Sequence, residues 1–422
     1  MKKILLLIVV LISPTPAMAN VKHISLDNAV ELAIENNLDL KSKRQKAEEL
    51  KQDIKIANAL KNPQFQSNFL MGKVTRGNSS QFGLAVPIEI GKRGIRKKIA
   101  QINLSITEDE IRAYEHSLKI QVMRSYFNIL YMKSVVIILQ ERERLFKNMK
   151  IIVEQKFKKS PNYSIDVLQN DMKYNKQLVF LNQAKANLLA AQFDFNNTLN
   201  IKDSSIMYDT IETSLFEKDL ELLKIDLLPY QVIEDTAMKY SYALSIAQSN
   251  ISKSEAEVIQ AKRKRIPDVV LAGGYAYQTA HQTGGEAFPG AFAGGSIDLP
   301  VLYSYRPEIN KAKIVLERAD LDKASFENHL RYSLKEDYND FKYAKENMIY
   351  YKTILKESAA ILEAYKNRYE KGQASLLNLI QVENTHQETL REYISAVQVY
   401  YDAYLNLMLN VGHDVLLESE NL

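Results

Sequence analysis

The sequence predicts a mainly α-helical protein with a small membrane β component, built from two tandem repeats. Three observations lead there. The same order of elements reads twice, over residues 20–201 and 230–412. Glycine and proline crowd into two windows. The stretches between these windows are too long to be ordinary globular helices. Self-similarity of this kind governs the whole fold, and its anchors align: Ala33 with Ala237, Pro63 with Pro267, Pro87 with Pro300, and Leu199-Asn200-Ile201 with Leu409-Asn410-Val411.

The chain opens with a leader. Lys2 and Lys3 precede an apolar run from Ile4 to Ile12, and Ala17-Met18-Ala19 supplies small residues for cleavage. That reads as a signal peptide over 1–19, with the mature chain starting at Asn20. The run is too short to span a bilayer, and no later segment approaches ~20 uninterrupted apolar residues. The chain contains no cysteine, so it has neither a disulfide framework nor the lipidated cysteine of a lipoprotein. Net charge is only +4, which gives no electrostatic basis for nucleic-acid binding.

The first repeat reads as a helix over 25–61, strands over 64–74 and 80–90, and helices over 92–159 and 164–199. A linker fills 202–229. The second repeat reads as a helix over 230–265, strands over 268–279 and 288–300, and helices over 305–371 and 375–410, with a tail over 413–422. Punctuation sets these boundaries. Of 14 glycines, five fall between Gly72 and Gly94 and seven between Gly273 and Gly295. Glycine and proline break helices, so the windows are non-helical and the rest is free to be helical. No glycine or proline interrupts Ile95–Lys159 or Glu308–Lys371. Each stretch fits one helix of roughly 65 residues, near 100 Å at 1.5 Å per residue. Ile95, Ile99, Ile102 and Ile106 step by 4, 3, 4. Ile309, Ala312, Leu316, Ala319, Phe326 and Leu330 keep the same alternation, with Lys323 interrupting. These are heptad seams.

Inside the windows the period is two. Phe82, Leu84, Val86 and Ile88 share a face. Leu271, Tyr275 and Tyr277 oppose Ala272, Gly274 and Ala276. Phe65, Phe69 and Met71 alternate with Gln64, Gln66 and Asn68, and Ala291, Ala293, Ile297 and Leu299 share one side. Alternation over ~10 residues marks a transmembrane β-strand, although a soluble hairpin on a helix bundle has the same pattern. Four strands cannot close a barrel, and an open edge cannot sit in lipid. If the strands are in a membrane, several chains share one barrel, and two, three or four copies give 8, 12 or 16 strands.

Taken in order, several segments resemble the TolC-like outer-membrane factors. Leu26-Asp27-Asn28-Ala29-Val30-Glu31-Leu32-Ala33-Ile34-Glu35-Asn36-Asn37 is similar to their opening helix. Val86-Pro87-Ile88-Glu89-Ile90-Gly91-Lys92-Arg93 is similar to a strand-to-helix junction of the CzcC-like heavy-metal efflux branch. Arg368-Tyr369-Glu370-Lys371-Gly372-Gln373-Ala374-Ser375-Leu376-Leu377 is similar to a helix-tip turn. The resemblance covers the mature chain and implies a homotrimer, with a 12-stranded barrel in outer-membrane lipid above a periplasmic α-barrel. It implies the exit duct of a tripartite efflux pump, docking a periplasmic adaptor and, through it, an inner-membrane transporter. A type I protein-secretion channel is the alternative within the family. A periplasmic coiled-coil scaffold without a barrel is the alternative outside it.

The two helix-to-helix turns are the expected working points. Gly372 suits a left-handed helix end and Ser375 caps the next helix. Ser160-Pro161 stops the first hairpin and Ser164 caps. Lys156, Lys158, Lys159, Arg368 and Lys371 make both ends basic, which suits docking on an acidic or polar partner. The resemblance assigns the tips Lys158, Lys159, Ser160, Pro161, Arg368, Lys371, Gly372 and Ser375 to adaptor contact. It assigns Asp166, with the neutral Asn378 and Gln381 in the second half, to a constriction. Asp166 is equally suited to complementing its helix dipole. No catalytic motif, cofactor site or metal-ligand spacing is present: His23, His116, His281, His329, His386 and His413 stand far apart, and Gly91-Lys92-Arg93-Gly94 lacks the spacing of a phosphate loop. An enzyme is not expected.

Overall fold

The computed structural model describes residues 20–70, 79–159, 164–203, 205–216, 227–279 and 287–412. Its elements run β1 (Asn20–Ile24), α1 (Leu26–Asn36), α2 (Leu38–Asn58), β2 (Gln64–Leu70), β3 (Ser79–Ile88), α3 (Lys92–Lys159), α4 (Ser164–Thr198) and β4 (Ile206–Thr210). They continue with α5 (Tyr230–Tyr240), α6 (Tyr242–Arg263), β5 (Val269–Gln278), β6 (Phe288–Ile297), α7 (Arg306–Glu370) and α8 (Leu376–Val411). Two helices, two strands and two further helices therefore recur in the same order. The chain divides into two compact units, one of residues 1–38, 115–237 and 332–422, the other of 39–114 and 238–331.

The second unit holds a four-stranded antiparallel sheet in the order β2-β3-β5-β6. The central pair joins the first hairpin, β2–β3, to the second, β5–β6, with Phe82 opposite Tyr275 and Leu84 opposite Gly273. The register puts Phe65, Phe69, Phe82, Leu84, Val86, Ile88, Leu271, Tyr275, Tyr277 and Ile297 on one face. All are exposed, between 39% and 69%. The other face carries Gln64, Gln66, Asn68, Gln81 and Gln278 among small residues. The anticipated faces are thus observed; Met71, the inter-strand loops of 71–78 and 280–286, and His281 lie outside the described residues.

Below the sheet a charged rim holds the strand ends. Lys61 lies 3.5 Å from Glu89 and 3.3 Å from Asp268. Lys92 reaches Asp268 at 2.9 Å, and Arg96 reaches Glu89 at 3.0 Å. Arg96 also donates to the Ala57 carbonyl at 2.8 Å, tying α3 to the end of α2. Gly91, at φ +70°, turns the chain from β3 into α3.

The first unit packs around aromatic residues of α3, α4, α7 and α8. Tyr126, Phe195 and Tyr400 are fully buried. Phe127 stacks on Tyr401, and Phe341 lies 4.8 Å from Tyr400. α3 and α8 run antiparallel. His116 meets the Met408 carbonyl at 3.0 Å, and Arg124 donates to Asn406 at 2.8 Å. By length and composition α3 contains a stretch apolar enough to cross a membrane, but half of it is buried inside the protein.

Three features depart from the sequence expectation. Each opening helix is two helices, broken after Asn36 and after Tyr240, because Asn37 and Ser241 both take an extended ψ of 120°. The linker contains β4, which pairs in parallel with β1, Asn20 opposite Ile206. This pair is anchored on α3: Tyr126 donates to the Ile24 carbonyl at 3.2 Å, and Lys133 bonds Thr210 Oγ1 at 2.7 Å and Asp209 at 3.0 Å. The heptad seams are only partly covered within one chain. Ile95, Ile106, Ile309 and Leu330 are buried, whereas Ile99, Ile102, Ala312, Leu316, Ala319 and Phe326 are half-buried.

Candidate functional site

Two helical hairpins, α3–α4 and α7–α8, meet at their ends in the first unit. The sequence makes the second turn sharply. Gly372 stands at φ +72°; its N–H bonds the Tyr369 carbonyl at 3.0 Å, and Gln373 N–H bonds the Arg368 carbonyl at 2.9 Å. This pair of bonds closes the helix end, and only glycine takes that conformation without strain. Ser375 then caps α8, its hydroxyl accepting from Asn378 N–H at 3.2 Å. An apolar cluster locks the hairpins together: Phe146, Met149 and Val153 of α3, Leu362 and Tyr369 of α7, and Leu376, Leu379 and Ile380 of α8, with Val167 and Tyr174 of α4 against it.

Outside that cluster lie the anticipated residues. Arg368, Lys371, Lys158, Asn378 and Gln381 are exposed. Arg368 stacks on Tyr365 at 5.7 Å. Asn378 and Gln381 share an open groove of about 340 Å³ with Ser358, Ile361, Tyr365 and Val382. Ser160 and Pro161 lie outside the described residues, as do the side chains of Lys156, Lys159, Ser164 and Asp166; the backbone places Ser164 and Asp166 in the first turn of α4.

The geometry also contains a polar layer behind the cluster that the sequence reading did not single out. Glu383 is 1% exposed. Arg142 Nε approaches its Oε1 at 3.4 Å, while the guanidinium donates to Asn384 and lies over the Phe146 ring. Asn170, fully buried, donates to the Phe146 carbonyl at 3.2 Å, and Gln177 donates to the Leu139 carbonyl at 2.8 Å. His386 meets Ser358 Oγ at 2.9 Å. Burial pushes the Glu383 carboxyl above its usual range despite Arg142, and burial pushes the His386 imidazole down. The signal was present in the sequence: Leu376, Ile380, Glu383, Gln387, Leu390, Ile394 and Val397 step alternately by 4 and 3, so Glu383 and Gln387 are polar interruptions of a heptad seam. No group of three or more His, Asp or Glu among the described residues could hold a metal ion.

Comparison with known proteins agrees with this architecture. Residues 235–413 match the family model of the outer membrane efflux protein. No curated protein matches by sequence. Among solved structures, the chain is similar to CusC at 15% identity and a TM-score of 0.74, covering 92% of both chains. It is similar to the Campylobacter jejuni CmeC outer membrane channel at 17% identity and 0.68, covering 92% of this chain and 85% of that one. It is also similar to the Neisseria gonorrhoeae MtrE outer membrane channel at 14% and 0.72, covering 92% and 88%. These likenesses concern the fold. The matched family is one of channels, not enzymes. Residues 235–413 are thus similar to the outer membrane efflux protein family, and the chain as a whole has the fold of the solved CusC, CmeC and MtrE structures.

Proposed function

We propose that this protein is the outer-membrane exit duct of a tripartite efflux pump. One observation carries the proposal. The four-stranded sheet has an exposed apolar face, from Phe65 to Ile297, a face rich in Gln and small residues, and, among the described residues, two unpaired edges, β2 and β6. In lipid each edge must find a partner, and β6 of one copy is antiparallel to β2 of the next. Three copies make a closed 12-stranded barrel, with the apolar face toward lipid and the glutamines toward a wet lumen. The half-covered heptad seams are then completed between copies, in a periplasmic α-barrel.

The hairpin ends form the periplasmic entrance. Lys158, Lys159, Arg368 and Lys371, with the turn residues Ser160, Pro161, Gly372 and Ser375, meet a periplasmic adaptor, and the inner-membrane transporter connects through it. Asp166 contributes three carboxylates to a constriction in which Asn378 and Gln381 are the neutral counterparts. The Val86–Arg93 junction favours small-molecule or heavy-metal cargo over protein cargo. Fractionation and conductance test the reading. Carbonate-resistant recovery in the outer membrane and channels in a planar bilayer, with altered cation dependence in Asp166→Asn, are expected. A protein released as a soluble periplasmic species overturns it.

A further inference from the structure

The layer around Glu383 has no part in a passive duct, yet it sits where the two hairpins meet. Glu383 is 1% exposed, and neither carboxylate oxygen receives a hydrogen bond among the described residues. Among the described residues its one close ionic partner is Arg142 of α3, at 3.4 Å and 15% exposed. Asn170 Oδ1 and Gln387 Oε1 are likewise buried without a donor. A carboxylate so placed loses its hydration and regains only part of it from one long ion pair.

We propose that Glu383 is an acid-operated lock between the hairpins: protonated, it holds α3, α4, α7 and α8 together, and ionised, it favours their separation. The proposal rests on reading the hairpin ends as the duct's entrance. Its logic is linkage. The packed arrangement, which buries the carboxyl, holds a proton more tightly than any arrangement that wets it, so proton binding favours packing. The charged groups facing Glu383 are Arg142 from α3, Lys173 from α4 and Lys366 from α7. All are cationic and favour the ionised form, yet burial outweighs them. On α8 itself His386 acts in the opposite sense. Burial and Lys366 disfavour its charged form and Glu141 favours it, so acid works against packing at that residue. The two groups must therefore be separated experimentally.

Hydrogen exchange on the full chain in detergent separates them. Exchange over 142–153 and 376–387 is read against 120–130, between about pH 8 and about pH 5. In His386→Asn, relative exchange at the hairpin ends slows on acidification by on the order of tenfold. Adding Glu383→Gln makes it slow already at the higher pH and flat thereafter. A pH-independent profile in His386→Asn, or an unchanged slope after Glu383→Gln, overturns the lock. Conductance of the same proteins is a separate arm. An exchange response without channels at any pH refutes the entrance reading and leaves the lock standing; channels without an exchange response refute the lock alone.

Discussion

Gly274 lies so close to Phe82 that a Cβ built on it would stand 2.0 Å from the Phe82 carbonyl oxygen. The two residues lie on strands far apart in sequence, and those strands, β3 and β5, form the central pair of the four-stranded sheet. Any side chain at 274 forces these backbones apart. Gly274→Ala is expected to lose roughly 1–3 kcal/mol by overpacking, and Gly274→Val to abolish stable recovery from the outer membrane. Heat-modifiable migration of the purified protein on gels reads both. Gly94→Ala, which meets nothing within 4 Å, is the matched control.

The second hairpin turn depends on two residues in sequence. Gly372→Ala places a Cβ at φ +72° and costs about 1–2 kcal/mol. Ser375→Ala removes the hydroxyl that accepts from Asn378 and costs about 1 kcal/mol. The sites are three residues apart and share the turn, so the double variant should not be additive. Thermal unfolding followed by circular dichroism measures all three.

Removing Arg142 leaves Glu383 buried with its nearest countercharge gone. Arg142→Ala is expected to cost about 3–5 kcal/mol, far more than a surface pair would. Replacing both members, as Arg142→Met with Glu383→Leu, should return stability to near or above the starting value, because no uncompensated charge remains. Denaturant midpoints of the unsubstituted protein, Arg142→Met, Glu383→Leu and the double variant give the coupling between the two sites.

The charged rim below the sheet predicts acid sensitivity of opposite sign to that of Glu383. Burial raises the Glu89 carboxyl, but the hydrogen bond and charge of Arg96, with Lys61, hold it below its usual range. Lys92 and Lys61 similarly overcome burial at Asp268. A lowered carboxyl stabilises the fold above its ordinary pKa and ceases to do so as pH falls through the lowered value. Stability of the strand-bearing unit should therefore fall below about pH 4. Glu89→Gln should flatten that fall and cost about 1 kcal/mol at neutral pH. Melting temperature against pH checks it.

Much of this architecture is legible because its signals are local. The glycine- and proline-free stretch Ile95–Lys159 marks nearly all of the helix observed as Lys92–Lys159, and period-two spacing assigns Phe82, Leu84 and Val86 to one face. Gly372 and Ser375 carry their turn chemistry in the sequence. Features that depend on distant partners were not legible. β1 and β4 are five residues each and pair across the length of a repeat. Asn37 and Ser241 break helices through backbone geometry that neither residue requires. Glu383 reads as an isolated charge until α3 brings Arg142 beside it. The charge ring proposed at Asp166 would be a property of several copies, and no single chain encodes its geometry.

Closure of the sheet between copies is the central claim, and cysteine cross-linking tests it most directly. The chain has no cysteine of its own. Single pairs joining β2 to β6, such as Ser67→Cys or Phe69→Cys with Ala291→Cys or Ala293→Cys, are oxidised in isolated outer membranes. The account predicts that at least one register yields covalent dimers and trimers and nothing larger, as a closed 12-stranded ring requires. Monomers alone at every register, or a ladder extending beyond three, would contradict it.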